Sequence, residues 1–255
     1  MMGTVLLRLS APLQSYGTLS RWEERATTAR PTKSAVLGLV ANALGLEHGT
    51  PLTDLAELTF TVRADRPGHL LTDQQTTGAG TFPPDPYALA TDPHLVQHPD
   101  AWTYAVPRKP APGPDGVLRA PWQPKERRSV LVTKHYLADA AFIAGLTGDA
   151  ALVRRIDAAL HHPARLLYLG RRCCPPDHPV AHGTTPDTAA DWPNALPLLP
   201  RATTPTPLAW TETPPATATT LLPEGAPTSF TVRDHPVLPI RAFTTSPPPH
   251  PETTP

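Results

Sequence analysis

Proline sets the first limit on this chain: of its 36 prolines, 20 lie beyond residue 174. A ring-locked φ and a missing N–H exclude proline from helix interiors and central strands. No long helix is therefore expected after Pro175. The segment from Ala181 to Ser229, mostly Pro, Thr, Ala and Leu, reads as extended, loop-rich or partly disordered chain with little capacity for a core of its own. A strand-like island, SFTVRDHPVLPIRAF, follows at 229–243, so the region 181–243 is expected to hold a few short strands. The last residues, 244–255, TTSPPPHPETTP, read as a disordered tail.

The first 170 residues differ, because periodic apolar segments recur there with turn signals between them. TVLLRLS at 4–10, LTFTVRAD at 58–65, YLADAAFIAGL at 136–146 and RLLYLG at 165–170 read as strands. Thr32 is placed to cap a helix carrying Val36, Leu37, Val40 and Leu44, with Gly45 at its exit. Asp149 is placed to cap a second, in which Leu152, Ile156 and Leu160 recur before Pro163. The order is strand, helix, strand, strand, helix, strand, with a long non-periodic segment between the second and third strands. That order predicts an α+β, ferredoxin-like (RRM-like) βαββαβ domain over residues 1–180. Many RNA-binding modules present one sheet face of this layout to single-stranded RNA, although layout alone licenses no function.

The N-terminus has no basic region ahead of its short apolar run, and an arginine lies inside that run, so neither a signal peptide nor a spanning helix is expected. With two adjacent cysteines and no disulfide framework, the reading is a cytoplasmic protein without membrane contact. Formal net charge is zero, yet the charges alternate in blocks. Residues 1–46 hold five basic and two acidic side chains, residues 47–100 two and eight, and residues 101–135 seven and two. Arginine outnumbers lysine 18 to 4. Arginine's planar fork suits phosphate contact, and a GC-rich genome would produce the same excess.

Several motifs carry candidate chemistry. RPTKSAVLG imitates the end of a phosphate loop at Lys33 and Ser34 but lacks its glycines, so nucleotide hydrolysis is not expected. What remains is a helix N-terminus flanked by Arg30, Lys33 and Ser34, where backbone N–H groups favour a phosphate. The basic run that includes Lys125, Arg127, Arg128 and Lys134 is interleaved with Trp and Tyr, a pattern able to track a phosphate backbone while stacking on unpaired bases. Lys134, His135 and Tyr136 could supply a base and a phosphate-stabilising cation for metal-independent RNA cleavage, but neighbouring residues on a strand face opposite ways. A zinc site drawn from Cys173, Cys174, Asp177, His178 and His182 is disfavoured, because adjacent cysteines diverge and no second ligand pair exists. No metal or cofactor is expected.

Five segments, LLRLSAPLQSYG, PTKSAVLGLVANALGL, LTDQQTT, KHYLADAAFIAGL and YLGRRCCPPDHPV, stand in order over residues 1–180. Together they resemble the CasD family, the type I-E form of the fifth-numbered CRISPR-associated protein within the RAMP superfamily. The resemblance implies a subunit of Cascade, the RNA-guided surveillance complex of antiviral defence. It implies a ferredoxin-like domain with a thumb, here at about 74–128, that grips the 5′ handle of the CRISPR RNA. It also implies two protein partners, the backbone subunit and the large subunit. Target DNA would be read indirectly, through guide pairing within the complex.

On that footing the expected RNA-binding residues are Gln14 and Tyr16 in the first loop and Arg30, Lys33 and Ser34 at the first helix. Lys125, Arg127, Arg128 and Lys134 along the basic run and the pair Arg171 and Arg172 complete the set. Tyr16 is expected to stack and the cations to hold phosphates. Type I-E members imply no RNA cleavage, whereas a type I-C relative cuts with a Tyr, Lys and His constellation. Lys134, His135 and Tyr136 therefore keep a processing endoribonuclease as the alternative.

Overall fold

In the computed structural model, which describes residues 2–17, 23–81, 103–107, 111–112, 118–119, 127–128, 130–225, 227–229 and 235–251, the N-terminal apolar run is the strand β1 (Met2–Gln14). Val5, Leu7, Leu9 and Ala11 face one side and Leu6 the other, so the strand is covered on both faces. A short β2 (Glu24–Arg25) precedes α1 (Lys33–Ala43), whose start is set by Thr32: its hydroxyl accepts the Ala35 N–H at 3.3 Å. The one-turn α2 (Thr53–Ala56) leads into β3 (Thr59–Arg66) and β4 (His69–Thr81). Four short strands follow, β5 (Thr103–Pro107), β6 (Ala111–Pro112), β7 (Leu118–Arg119) and β8 (Arg127–Arg128).

The long strand β9 (Val130–Asp149) then runs directly into α3 (Ala150–His161). Asp149 stops the strand and starts the helix, its Oδ1 accepting the Ala151 and Leu152 N–H groups at 2.9 and 3.2 Å. Those two bonds hold its carboxyl below the usual range. Beyond lie β10 (Ala181–Thr185), α4 (Trp192–Ala195), β11 (Leu208–Glu212), β12 (Thr220–Leu222) and β13 (Leu238–Thr244). Among the described residues no helix is long and apolar enough to cross a membrane.

The chain divides into two compact units, one formed by Met1–Leu19, Ala26–Leu71 and His135–Pro255, the other by Ser20–Arg25 and Thr72–Lys134. In the first, the strands lie in the order β10, β1, β9, β3, β11, β13, β12, each antiparallel to its neighbour. Leu146 pairs with Val5 on one side and Phe60 on the other, which places β9 at the centre. One sheet face packs on α1 and α3 through Val36, Leu37, Val40, Val153, Ile156 and Leu160. In the second unit β5 pairs with β4 and β8, β6 pairs with β7, and β2 runs parallel to the start of β9. The segment 74–128, expected as an insertion, falls inside this unit.

Two expectations are corrected. RLLYLG at 165–170 is not a strand: Leu166 is 89% exposed, and Leu169 bonds across a turn to Cys174 instead of along a ladder. The strand beside β1 is instead β10, which begins only at Ala181. The start of the tail is tied down, since Thr245 N–H donates to Pro207 O and Leu198 N–H to Pro248 O, both at 2.9 Å; residues 252–255 lie outside the described residues. The Pro-rich region, expected to have little capacity for a core of its own, packs onto the core of the sheet. Trp192 and Leu199 cover Leu6, Ala141 and Ile143 on the face away from α1 and α3. Trp192 rests on Gly145, where a Cβ would fall 2.6 Å from the indole Nε1. This part of the sheet face, which RNA-binding modules of similar layout leave open, is filled by the chain's own tryptophan.

Candidate nucleic-acid interface

The turn after Leu169 is built by one glycine. Gly170 has φ +90°, and a Cβ there would meet Ser15 O at 1.6 Å, so only glycine lets the turn close on the end of β1. Ser15 N–H donates to Leu169 O at 3.1 Å and Cys174 N–H to Arg171 O at 2.9 Å. This presents Arg171 over the Tyr136 ring, with its guanidinium carbon 4.7 Å from the centroid, and Nη1 donates to His135 O at 3.2 Å. Burial raises the Tyr136 phenol, its contact with Cys173 at 3.6 Å raises it further, and Arg171 opposes both. Arg172 is exposed beside it. Cys174 is a core residue, its thiol pushed up to about 12 by burial and then by Cys173.

Gln14 and Tyr16 lie beneath this turn, not on it. Both are buried, at 0% and 3% exposure. Gln14 Nε2 donates to Ala140 O at 2.7 Å and Leu9 O at 3.2 Å, while its Oε1 accepts from the Tyr16 hydroxyl at 2.7 Å. Burial, and then Cys174, hold the Tyr16 phenol well above its ordinary value. The expected stacking surface is corrected to an internal hydrogen-bond pair that closes the end of the sheet.

The start of α1 is corrected in the same way. Arg30 and Lys33 are buried, and each meets a carboxylate from the Pro-rich region. Arg30 Nη2 pairs with Glu224 at 2.5 Å, and Lys33 Nζ pairs with Glu212 at 2.7 Å and donates to Ala56 O at 2.7 Å. Ser34, half-buried, spends its N–H on Glu224 O at 3.2 Å. The helix N-terminus that would cradle a phosphate is closed by the chain itself. The sequence signal for this was available: Glu212 and Glu224 are the only acids between residues 192 and 233.

In the second unit Lys134 Nζ donates to Gln75 Oε1, and Arg127 and Arg128 pair along the backbone with Pro107 and Val106. Lys125 lies outside the described residues. Of the expected set, the structure therefore leaves Arg172 exposed and Arg171 on an aromatic ring, while Gln14, Tyr16, Arg30 and Lys33 serve the interior.

The family described as CRISPR-associated protein (Cas_Cas5) matches residues 4–232. The chain belongs to this Cas5 family. The CRISPR system Cascade subunit CasD of Escherichia coli (strain K12) is 28% identical over 186 residues, spanning 71% of this chain and 70% of that protein. A solved structure described as a CRISPR RNA-guided surveillance complex contains a chain that superposes with a TM-score of 0.67 at 30% identity, covering 96% of this chain and 91% of that one. Another, described as a Cas protein, superposes with a TM-score of 0.64 at 26% identity, covering 97% and 99%.

Sequence reasoning about this Cas5-family chain missed a set of polar residues on the tryptophan-covered sheet face. Arg63, fully buried, is held by Asp65 at 2.6 and 2.9 Å and by the carbonyls of Pro193, Leu196 and Pro197 at 2.6–2.8 Å. Near it on the same face lie Arg8, Arg66 and His182, with Asp139 and Asp177 among them. The one available hint was an arginine in the middle of the apolar run of β1.

Proposed function

We propose that this chain is a non-catalytic RNA-binding subunit of a type I-E Cascade complex, holding the 5′ handle of the CRISPR RNA and scaffolding the backbone and large subunits. The observation that carries this reading is the family match over most of the chain, joined by likeness along nearly the whole chain to a component of an RNA-guided surveillance complex. Target DNA would be met through the assembled complex. The strand order β10, β1, β9, β3, with α1 and α3 on one face, supports reading the first unit as ferredoxin-like, and the segment 74–128 as its thumb. The turn carrying Arg171 and Arg172 supports phosphate contact, because Gly170 lets it close on the end of β1 and Arg172 is exposed on it.

Replacing Arg171 and Arg172 together by Ala in the purified complex should weaken guide retention and lower its salt slope by about 0.7 for each phosphate no longer neutralised. Unchanged retention and slope would sink the assignment of that turn. The alternative, an endoribonuclease using Lys134, His135 and Tyr136, predicts cutting of repeat RNA in EDTA that His135→Ala abolishes. RNA left intact under those conditions leaves the binding reading.

A further inference from the structure

Arg8 points from β1 to the sheet face opposite α1 and α3, at the margin of the Trp192 cover. Its backbone is anchored, the N–H donating to Val180 O at 2.8 Å. Its side chain is not. Among the described residues the guanidinium has no ion pair, and its buried Nε has no acceptor. The neighbouring acid, Asp177, is engaged elsewhere: Oδ2 accepts from Ser10 Oγ at 3.2 Å, and Oδ1 lies 2.8 Å from His178 Nδ1. Arg66 adds positive charge nearby, though it is itself paired with Asp139 at 3.2 Å.

His182 on β10 completes the group. Burial, then Arg8 and Arg63, hold its imidazole below the ordinary value, while Asp65 opposes them. Neutral imidazole keeps one N–H to donate. Arg8 and His182 are both half-buried, so neither is sealed from an incoming ligand. A partly desolvated guanidinium with an orphaned N–H is an unfinished arrangement. An oxyanion that accepts from Nε and a terminal nitrogen together would complete it.

We infer that Arg8, with His182 beside it, seats one backbone phosphate of the guide RNA. This rests on the RNA-binding reading proposed above, and it places a contact on the open margin of the sheet, away from the start of α1.

The test uses full-length protein assembled with its complex partners and a labelled CRISPR RNA, with affinity measured across a range of salt. Arg8→Gln should weaken binding about tenfold and lower the salt slope by about 0.7, and Arg8→Lys should restore the slope but not the full affinity, because the fork is lost. Should Arg8→Gln fail to fold by circular dichroism, His182→Gln replaces it, with weaker binding again expected. Unchanged affinity and slope in a folded variant, alongside a weakened Arg171 and Arg172 double variant, would overturn this seat and leave the RNA-binding reading standing. Normal RNA binding with failed assembly onto the partner subunits would overturn it in favour of a partner carboxylate. Absence of RNA binding by the unmodified assembly would remove both.

Discussion

Gly170 and His182 show how single residues on this fold answer to distant neighbours. Gly170→Ala must place a Cβ into Ser15 O while holding φ at +90°, so the variant is expected to lose about 3 kcal/mol or more, read from its denaturation midpoint. For His182 the folded value lies below the ordinary 6.5 because of burial and the positive charges of Arg8 and Arg63, which outweigh Asp65. The unfolded chain therefore takes up the proton first as pH falls. Its contribution to stability is complete above pH 6.5 and is lost as pH drops below that value toward the folded one. A series of melts between neutral and mildly acidic pH should show this decline, and His182→Asn should flatten it.

At the scale of elements, the two helices that cover one sheet face differ in how they are completed. α3 is finished locally, by Asp149 at its start and by the apolar stripe of Val153, Ile156 and Leu160. α1 is finished from afar, because its flanking cations need carboxylates that α1 does not carry. Glu224→Ala leaves Arg30 buried without its partner and is expected to cost about 3 kcal/mol. Burial raises the Glu212 carboxyl, with Lys33 opposing, so the second pair carries a desolvation cost of its own. On the opposite face Trp192→Ala removes a wholly buried indole from Ile143 and Leu6 and should cost about 3–5 kcal/mol. Thermal melting checks both, and binding of a dye that reports exposed apolar surface separates them, since only the second uncovers the sheet.

For the whole molecule, the Pro-rich region is structural, and this runs against its composition. A chain ending at Ala202 would lose β11, β12 and β13 and both carboxylates that meet α1, and would leave β3 as an unpaired edge. It is expected to lose cooperative unfolding and to aggregate, measured by melting and size-exclusion chromatography; a well-folded truncation would refute the point. Much was legible without coordinates. Thr32, Asp149 and the alternation of β1, β3 and β9 declare themselves, because caps and periodicity depend on residues within a turn or a few steps of one another. The misreading at RLLYLG came from the same logic, since an apolar run without a partner strand is no strand. What only the tertiary structure decided was which cations face solvent. Lys33 meets Glu212 across 179 residues and Arg30 meets Glu224 across 194, and no local pattern encodes a pairing over that distance. By sequence, Arg30, Lys33, Arg8 and Arg172 are equivalent positive charges; only the fold buries two of them on carboxylates, leaves one exposed, and holds Arg8 half-buried with no acceptor for its Nε among the described residues.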